Sequence, residues 1–266
     1  MIERSERVGR RVRPFWLRPK WVVGHVLCLT LIVTFVNLGF WQLRRLDEKQ
    51  ERNALIHSRQ TRAPASLDDA LRGGADEAAY RRVRVEGTWD ADNTVLVRSR
   101  SLDGDPGYHV LTPLDTGDEA VVVNRGFAPL GGGGDEAILA AVRPRGDGHV
   151  RVEGLLRPSE TRGSFGPKDP AAGRLRVVNR IDIPRLQRQI NQPLAPVYLQ
   201  LQSSQPASGD LLRTLPLPAT DEGPHLSYAV QWFIFATVGA VGWPLLLRKQ
   251  GRDITAEDTS QSDEEI

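Results

Sequence analysis

The chain has a single cysteine and a single methionine among its 266 residues. Cys28 sits inside an uncharged stretch, so there is no disulfide, no CxxC redox pair and no zinc finger. With one methionine as well, the soft-ligand set expected of a copper carrier is missing. An excess of one charge is also lacking. The 35 basic and 33 acidic residues leave a formal charge of +2 and are interspersed, which gives no nucleic-acid footprint. No HExxH, GxSxG, DxDxDG or nucleotide-binding fingerprint occurs. The Gly131–Gly134 run is not followed by the Lys-Ser/Thr of a phosphate loop and reads as a connector. These absences point away from an enzyme and towards binding or assembly.

Two long uncharged runs stand out. Trp21 to Phe40 has no charged residue over twenty positions, and Leu226 to Leu247 none over twenty-two. A hydrocarbon core about 30 Å thick needs roughly 20 helical residues, so both runs are long enough to span a bilayer. The first exceeds the roughly 7–15 residues of a signal-peptide core, has no A-x-A-like cleavage site and leads into "WQLRRLDEKQERN", as an uncleaved anchor would. The chain therefore divides into a basic N-terminus (1–20), a first transmembrane helix (21–41), a central domain (42–224), a second transmembrane helix (225–247) and an acidic, disordered tail (248–266). Ten basic residues flank the two tails: Arg4, Arg7, Arg10, Arg11, Arg13, Arg18, Lys20, Arg248, Lys249 and Arg252. Four flank the central side: Arg44, Arg45, Lys49 and Arg52. The imbalance places both termini in the cytoplasm and the central domain outside it.

Between the spans, strand signals dominate. "YRRVRVEGTWD" alternates Val83, Val85 and Gly87 with Arg82, Arg84 and Glu86. "NTVLVRSRS", "GYHVLTPLD", "EAVVVNRGFAP", "HVRVEGLLRPS", "LRVVNRID" and "PVYLQLQ" follow, separated by Gly, Pro, Asp and Asn. Seven short strands with turn signals between them predict one extracytoplasmic, mainly-β domain, barrel- or sandwich-like. Short helices are expected at "ASLDDALRG", "DEAILAAVRP" and "IPRLQRQI", and an exposed loop over "LRPSETRGSFGPKDPAAGR".

The spans carry polar residues that need an account. On the second, His225, Tyr228, Ala229 and Trp232 fall at i, i+3, i+4 and i+7, one face, with Ser227 and Gln231 beside it. One reading is interfacial, since Tyr and Trp favour headgroup depth and His tolerates it. The other makes the neutral His225 a haem ligand with the aromatics against the porphyrin. On the first span Thr30, Thr34, Asn37 and Trp41 form one polar face, expected to meet the second span or another membrane protein. Ala236, Gly239 and Ala240 would allow the two spans to pack closely. His25 lies near the cytoplasmic end, about 22 Å from Phe40 at 1.5 Å per residue, so it and His225 cannot share one iron. His57 and His149 lie in solvated settings and His109 in a strand, as a structural residue.

At this point the chain resembles the Surfeit locus protein 1 family, assembly factors for haem–copper cytochrome c oxidase. The likeness rests on "LGFWQLRRLDEK", "YRRVRVEGTWD", "GYHVLTPL", "VVVNRGFAP", "VEGLLRPSETRGSFGP" and "HLSYAVQW", in that order between the two spans. It implies a multi-pass protein of the bacterial inner (plasma) membrane, or its mitochondrial counterpart, whose β domain faces the periplasm or the intermembrane space. It implies a part in building oxidase subunit I around haem a, with the haem a synthase as a further partner. The family's candidate haem ligand falls on His225, with Tyr228 and Trp232 beside it and Trp41 at the same depth. Gly39, Gln42, Tyr108, Asn124, Arg125, Gly126 and Gln231 carry over as signature residues.

Overall fold

A computed structural model describes residues 14–264 apart from 132, 145–148, 162, 164–165 and 208–210, with side chains up to Asp253. The Arg4–Arg13 part of the basic N-terminus lies outside the described residues. The chain separates into two compact units, one of residues 1–53 with 221–266, the other of residues 54–220.

The first unit is built from two helices, α1 (Pro19–Gln60) and α6 (His225–Glu264), both long and apolar enough to cross a membrane. They pack through small residues. Ala229 and Ala236 of α6 are buried, and Gly239 stacks on Ile32. A side-chain carbon at Gly39 would come within 2.7 Å of the Phe233 ring, so only glycine lets α1 approach α6 there. Ala240, expected in the same seam, is exposed instead. At the other end of the pair, Trp243 Nε1 donates to His25 Nδ1 at 2.7 Å.

Of the two partners expected for the polar face of Thr30, Thr34 and Asn37, α6 is not the one it meets. It is exposed, and each side chain donates to the carbonyl four residues earlier, at 2.7–2.8 Å. That local bond lets a short polar side chain sit on an apolar helix without a neighbour. Helix α1 runs to Gln60, because "ERNALIHSRQ" contains no breaker before Pro64. The tail expected to be disordered continues α6 to Glu264, since no proline or glycine follows Gly251.

In the second unit, α2 (Leu67–Leu71) and α3 (Ala75–Ala78) precede a seven-stranded mixed sheet. Its strands are β1 (Arg82–Trp89), β2 (Val95–Leu102), β3 (Asp105–Asp115), β4 (Ala120–Pro129), β5 (His149–Pro158), β6 (Val177–Val178) and β7 (Leu194–Gln205). Helices α4 (Gly134–Ala141) and α5 (Ile183–Gln187) complete it. The strand order is β1-β5-β7-β4-β3-β2-β6, and β1 also pairs with β3 through Thr88–Asp115 and Trp89–Leu114. Pairs β4–β7 and β2–β6 are parallel and the rest antiparallel. All seven sequence-predicted strands are present, but "LRVVNRID" keeps only two ladder residues. Beyond them the Asn179 amides are held by Asp169, which turns the chain out of the sheet.

Alternation decides burial. In β1, Val83 and Val85 are buried while Arg82, Arg84 and Glu86 are exposed. Gly87 stands where β1 leaves β5 for β3; a Cβ there would lie 2.2 Å from the Asp115 carbonyl. Strand β4 differs, with its first nine residues all buried. Val121 and Val123 join one core with Val83, Val152, Leu156 and Leu199. Val122 faces a second core with Val97, Ile181, Leu186 and Tyr198, under α5. A third, of Leu96, Val110, Ile138 and Leu139, seats α4. The exposed-loop expectation needs one amendment. Arg185, buried in α5, donates to the carbonyls of Pro170 and Gly173 and so ties that loop down from within.

Replacing Gly39 by valine should destabilise the helix pair by about 1–3 kcal/mol through overpacking against Phe233. Thermal unfolding of the full chain in detergent, with Phe233→Ala as the relieving second change, checks it.

Candidate functional site

The start of α6 is shaped by Gly223 and Pro224. Gly223 takes a positive φ of 69°, and the Pro224 carbonyl accepts the first helical hydrogen bond from Tyr228 N at 3.1 Å. Pro224 suits this position, where a missing N–H costs nothing. This entry delivers the His225 ring to α1, where Nδ1 lies 2.8 Å from Gln42 Oε1. An amide oxygen can only accept, so Nδ1 carries the proton. With the proton on Nδ1, the ring's lone pair falls on Nε2, and no described residue takes it up. A second group that fixes the tautomer in this way is the usual companion of a ligating histidine.

His25 shows the opposite state. Its Nδ1 accepts from Trp243, and its Nε2 lies 3.2 Å from the Trp16 carbonyl, so both nitrogens are occupied and the residue acts as a structural tie. Among the described residues no three His, Cys, Asp or Glu side chains gather to hold a metal ion. A haem iron would therefore find one protein nitrogen here, that of His225. The donor chemistry fits that single bond.

The other expected pocket residues fall in different places. Tyr228 follows His225 by one turn and is 47% exposed, free to contact a bound planar group. Trp232 is already engaged, stacked on Phe35 at 5.5 Å and edge-on to Phe235 at 5.9 Å. Trp41 is 51% exposed, and its neighbour Gln42 makes the contact with His225. Gln231 is exposed. The structure thus joins His225, Gln42 and Tyr228, and leaves Trp232 and Trp41 to packing and to the surface. Gln42 as the partner of His225 was not foreseen. The available signal was its place as the last uncharged polar residue before the charged part of α1.

The remaining signature residues belong to the sheet. Arg125 is the extra residue of a bulge in β4, since Asn124 pairs with Leu111 and Gly126 with Val110. The bulge turns Arg125 into the interior, where Nη1 donates to the Val142 carbonyl at 2.6 Å and the guanidinium lies over Trp89. Burial pushes its pKa down to about 10, which still leaves it charged. Gly126 has φ 141°, and a Cβ there would meet the Arg213 carbonyl at 2.6 Å. Tyr108 donates to Asp135 of α4 at 2.6 Å, and that bond raises the phenol pKa. Asn124 Nδ2 donates to His109 Nδ1 at 3.3 Å. These residues hold the fold of the sheet unit. His57 and His149 are exposed.

A model of the SURF1 family matches residues 29–237. The chain is 30% identical over 245 residues to an uncharacterized SURF1-like protein of Mycobacterium tuberculosis, covering 86% of this chain and 83% of the relative. It is 29% identical over 235 residues to a SURF1-like protein of Monosiga brevicollis, with 83% and 85% covered. With the cytochrome oxidase assembly protein SHY1 of Saccharomyces cerevisiae it shares 30% over 189 residues, 66% of this chain and 46% of SHY1.

His109 gives a pH prediction. Burial, then the charges of Arg100 and Arg157, push its pKa down from 6.5 to about 4, against the opposing pull of Glu160. Below pH 6.5 the unfolded chain binds a proton that the native one refuses, so stability falls as pH drops from 6.5 towards 4. The loss should reach up to about 3 kcal/mol, and His109→Gln should flatten it. Unfolding midpoints measured across that range check both.

Proposed function

The chain belongs to the SURF1 family, and from that membership we propose that it assists the assembly of haem–copper cytochrome oxidase. In this reading the helix pair anchors the protein in the bacterial plasma membrane, with both termini cytoplasmic and the central domain, residues 42–224, extracytoplasmic. The charge distribution around the spans supports that orientation. The SHY1 relative supports the assembly role by its name.

The finer proposal is that the protein binds haem a transiently at His225 and passes it to oxidase subunit I, receiving it from the haem a synthase. One observation carries this: Gln42 fixes the His225 tautomer so that Nε2 is presented as a ligand nitrogen. When bound, haem would supply an iron for the His225 imidazole to ligate. The protein supplies that oriented imidazole and an exposed tyrosine one turn on. A single protein ligand would suit a transient carrier, because one bond breaks when the cargo leaves.

A second reading is a scaffold that holds subunit I and never touches haem. The exposed polar face of Thr30, Thr34 and Asn37 favours it, since polar side chains on a membrane helix are suited to another helix.

Purified full chain mixed with haem a should give a Soret shift that His225→Ala abolishes. Gln42→Leu should weaken binding roughly 10–100-fold, the usual cost of removing such an orienting partner. A Soret shift that persists in His225→Ala removes that ligand, and no shift with the unaltered chain leaves the scaffold reading. In a deletion strain, cytochrome oxidase should lose its haem a absorbance; full absorbance there would reject both readings.

A further inference from the structure

Beyond the His225 group, the sheet carries a polar cluster to which neither family likeness nor motif assigns a role. It is built by strand register. Arg157 of β5 pairs directly with Tyr198 of β7, and Tyr198 in turn neighbours Val122 of β4. On β2 the ladder with β3 breaks between Val97 and Arg100, with Ser99 at a positive φ of 58°. This bulge re-aims Arg100, which bonds Glu160 at 2.6 Å. His109 of β3 lies between that bulge and the one at Arg125, and its ring feels the charges of Arg100, Arg157 and Glu160.

The charges in this cluster do not balance. Glu160 is committed to Arg100 and also accepts from Ile181 N. Among the described residues Arg157 has no carboxylate partner. Its Nη1 donates to the neutral Gln200 amide at 2.9 Å, its guanidinium lies 5.4 Å over the Tyr80 ring, and its Nε is shut from solvent without an acceptor. Two arginines against one glutamate leave one positive charge, because His109 is neutral at pH 7 and Tyr198 is a phenol. The Tyr198 ring is 6% exposed, and its hydroxyl bonds to no described residue. A half-buried cation is costly without a counter-charge. The cluster is not sealed, since the side chains of Arg100 and Glu160 remain 24% and 31% exposed.

We infer that Arg157 and Tyr198 form a binding site for a small oxyanion, a phosphate or carboxylate group. Arg157 supplies the charge and the N–H donors of its Nη2, and Tyr198 one O–H donor. The Arg100–Glu160 pair forms the wall and admits one negative charge rather than two. Planar guanidinium donors suit both oxyanion classes. The site is independent of haem binding at His225 and stands or falls separately.

Equilibrium dialysis of the full chain in detergent tests it, with labelled inorganic phosphate and labelled succinate as probes at fixed ionic strength in chloride. One saturable site per chain is expected for at least one probe. Saturation by phosphate alone identifies a phosphate group as the ligand, and saturation by succinate alone a carboxylate. Arg157→Gln should weaken it at least tenfold. Tyr198→Phe, which keeps the buried ring and removes only the hydroxyl, should weaken it severalfold. Arg151→Gln, on the exposed β1–β5 ladder, should leave it unchanged. Absence of saturable binding by either probe, or binding that survives both Arg157→Gln and Tyr198→Phe, would overturn the proposal.

Discussion

Strand β4 has almost no face in water, and the sheet unit depends on that constraint. A strand covered on both sides must be apolar at successive positions, as "AVVV" is, and must place any polar residue where a partner waits. Asn124 and Arg125 meet that demand through the bulge. Asn124 turns to His109, and Arg125 reaches the Val142 carbonyl behind α4. The same irregularity brings Gly126 against Arg213, so that Phe127 and Arg213 exchange backbone hydrogen bonds. One extra residue thereby serves two cores and fixes the return of the chain towards residue 213.

The helix pair obeys a different rule. Apolar side chains gain little by leaving lipid for one another, so close approach must come from shape. Gly39 under Phe233 and Gly239 beside Ile32 provide it. With the seam given to small and aromatic residues, the polar side chains near it divide into three kinds. Thr30, Thr34 and Asn37 satisfy themselves locally, His25 is bonded at both nitrogens, and His225 is bonded at one. Only the last leaves a strong acceptor open. The same physics that forbids unsatisfied polar groups in an apolar setting thus singles out His225 among the histidines of the pair.

The two polar sites described here differ in kind. At the start of α6 an imidazole offers a ring nitrogen, which suits a metal. At Arg157 a cation offers donors, which suits an anion. Neither would be recognised from composition, because the chain as a whole is close to charge balance.

Much was legible in the sequence because period and run length are local properties. Alternating Val and Arg marks β1 as a strand with two unlike faces, and two uncharged runs mark the spans. Partners are not local. Gln42 and His225 are 183 residues apart, and one turn of α1 decides that Gln42, rather than Trp41, faces α6. The polar stripe of α1 was readable as a stripe, but which way it faced was set by the glycine seam opposite. Arg157 and Tyr198 meet through a β5–β7 register that no spacing encodes. The sequence by itself determined the elements and their inner faces, because burial follows side-chain period. Only the tertiary structure decided which polar groups were left without a partner, because hydrogen-bond satisfaction is settled across strands and helices that lie far apart in the chain.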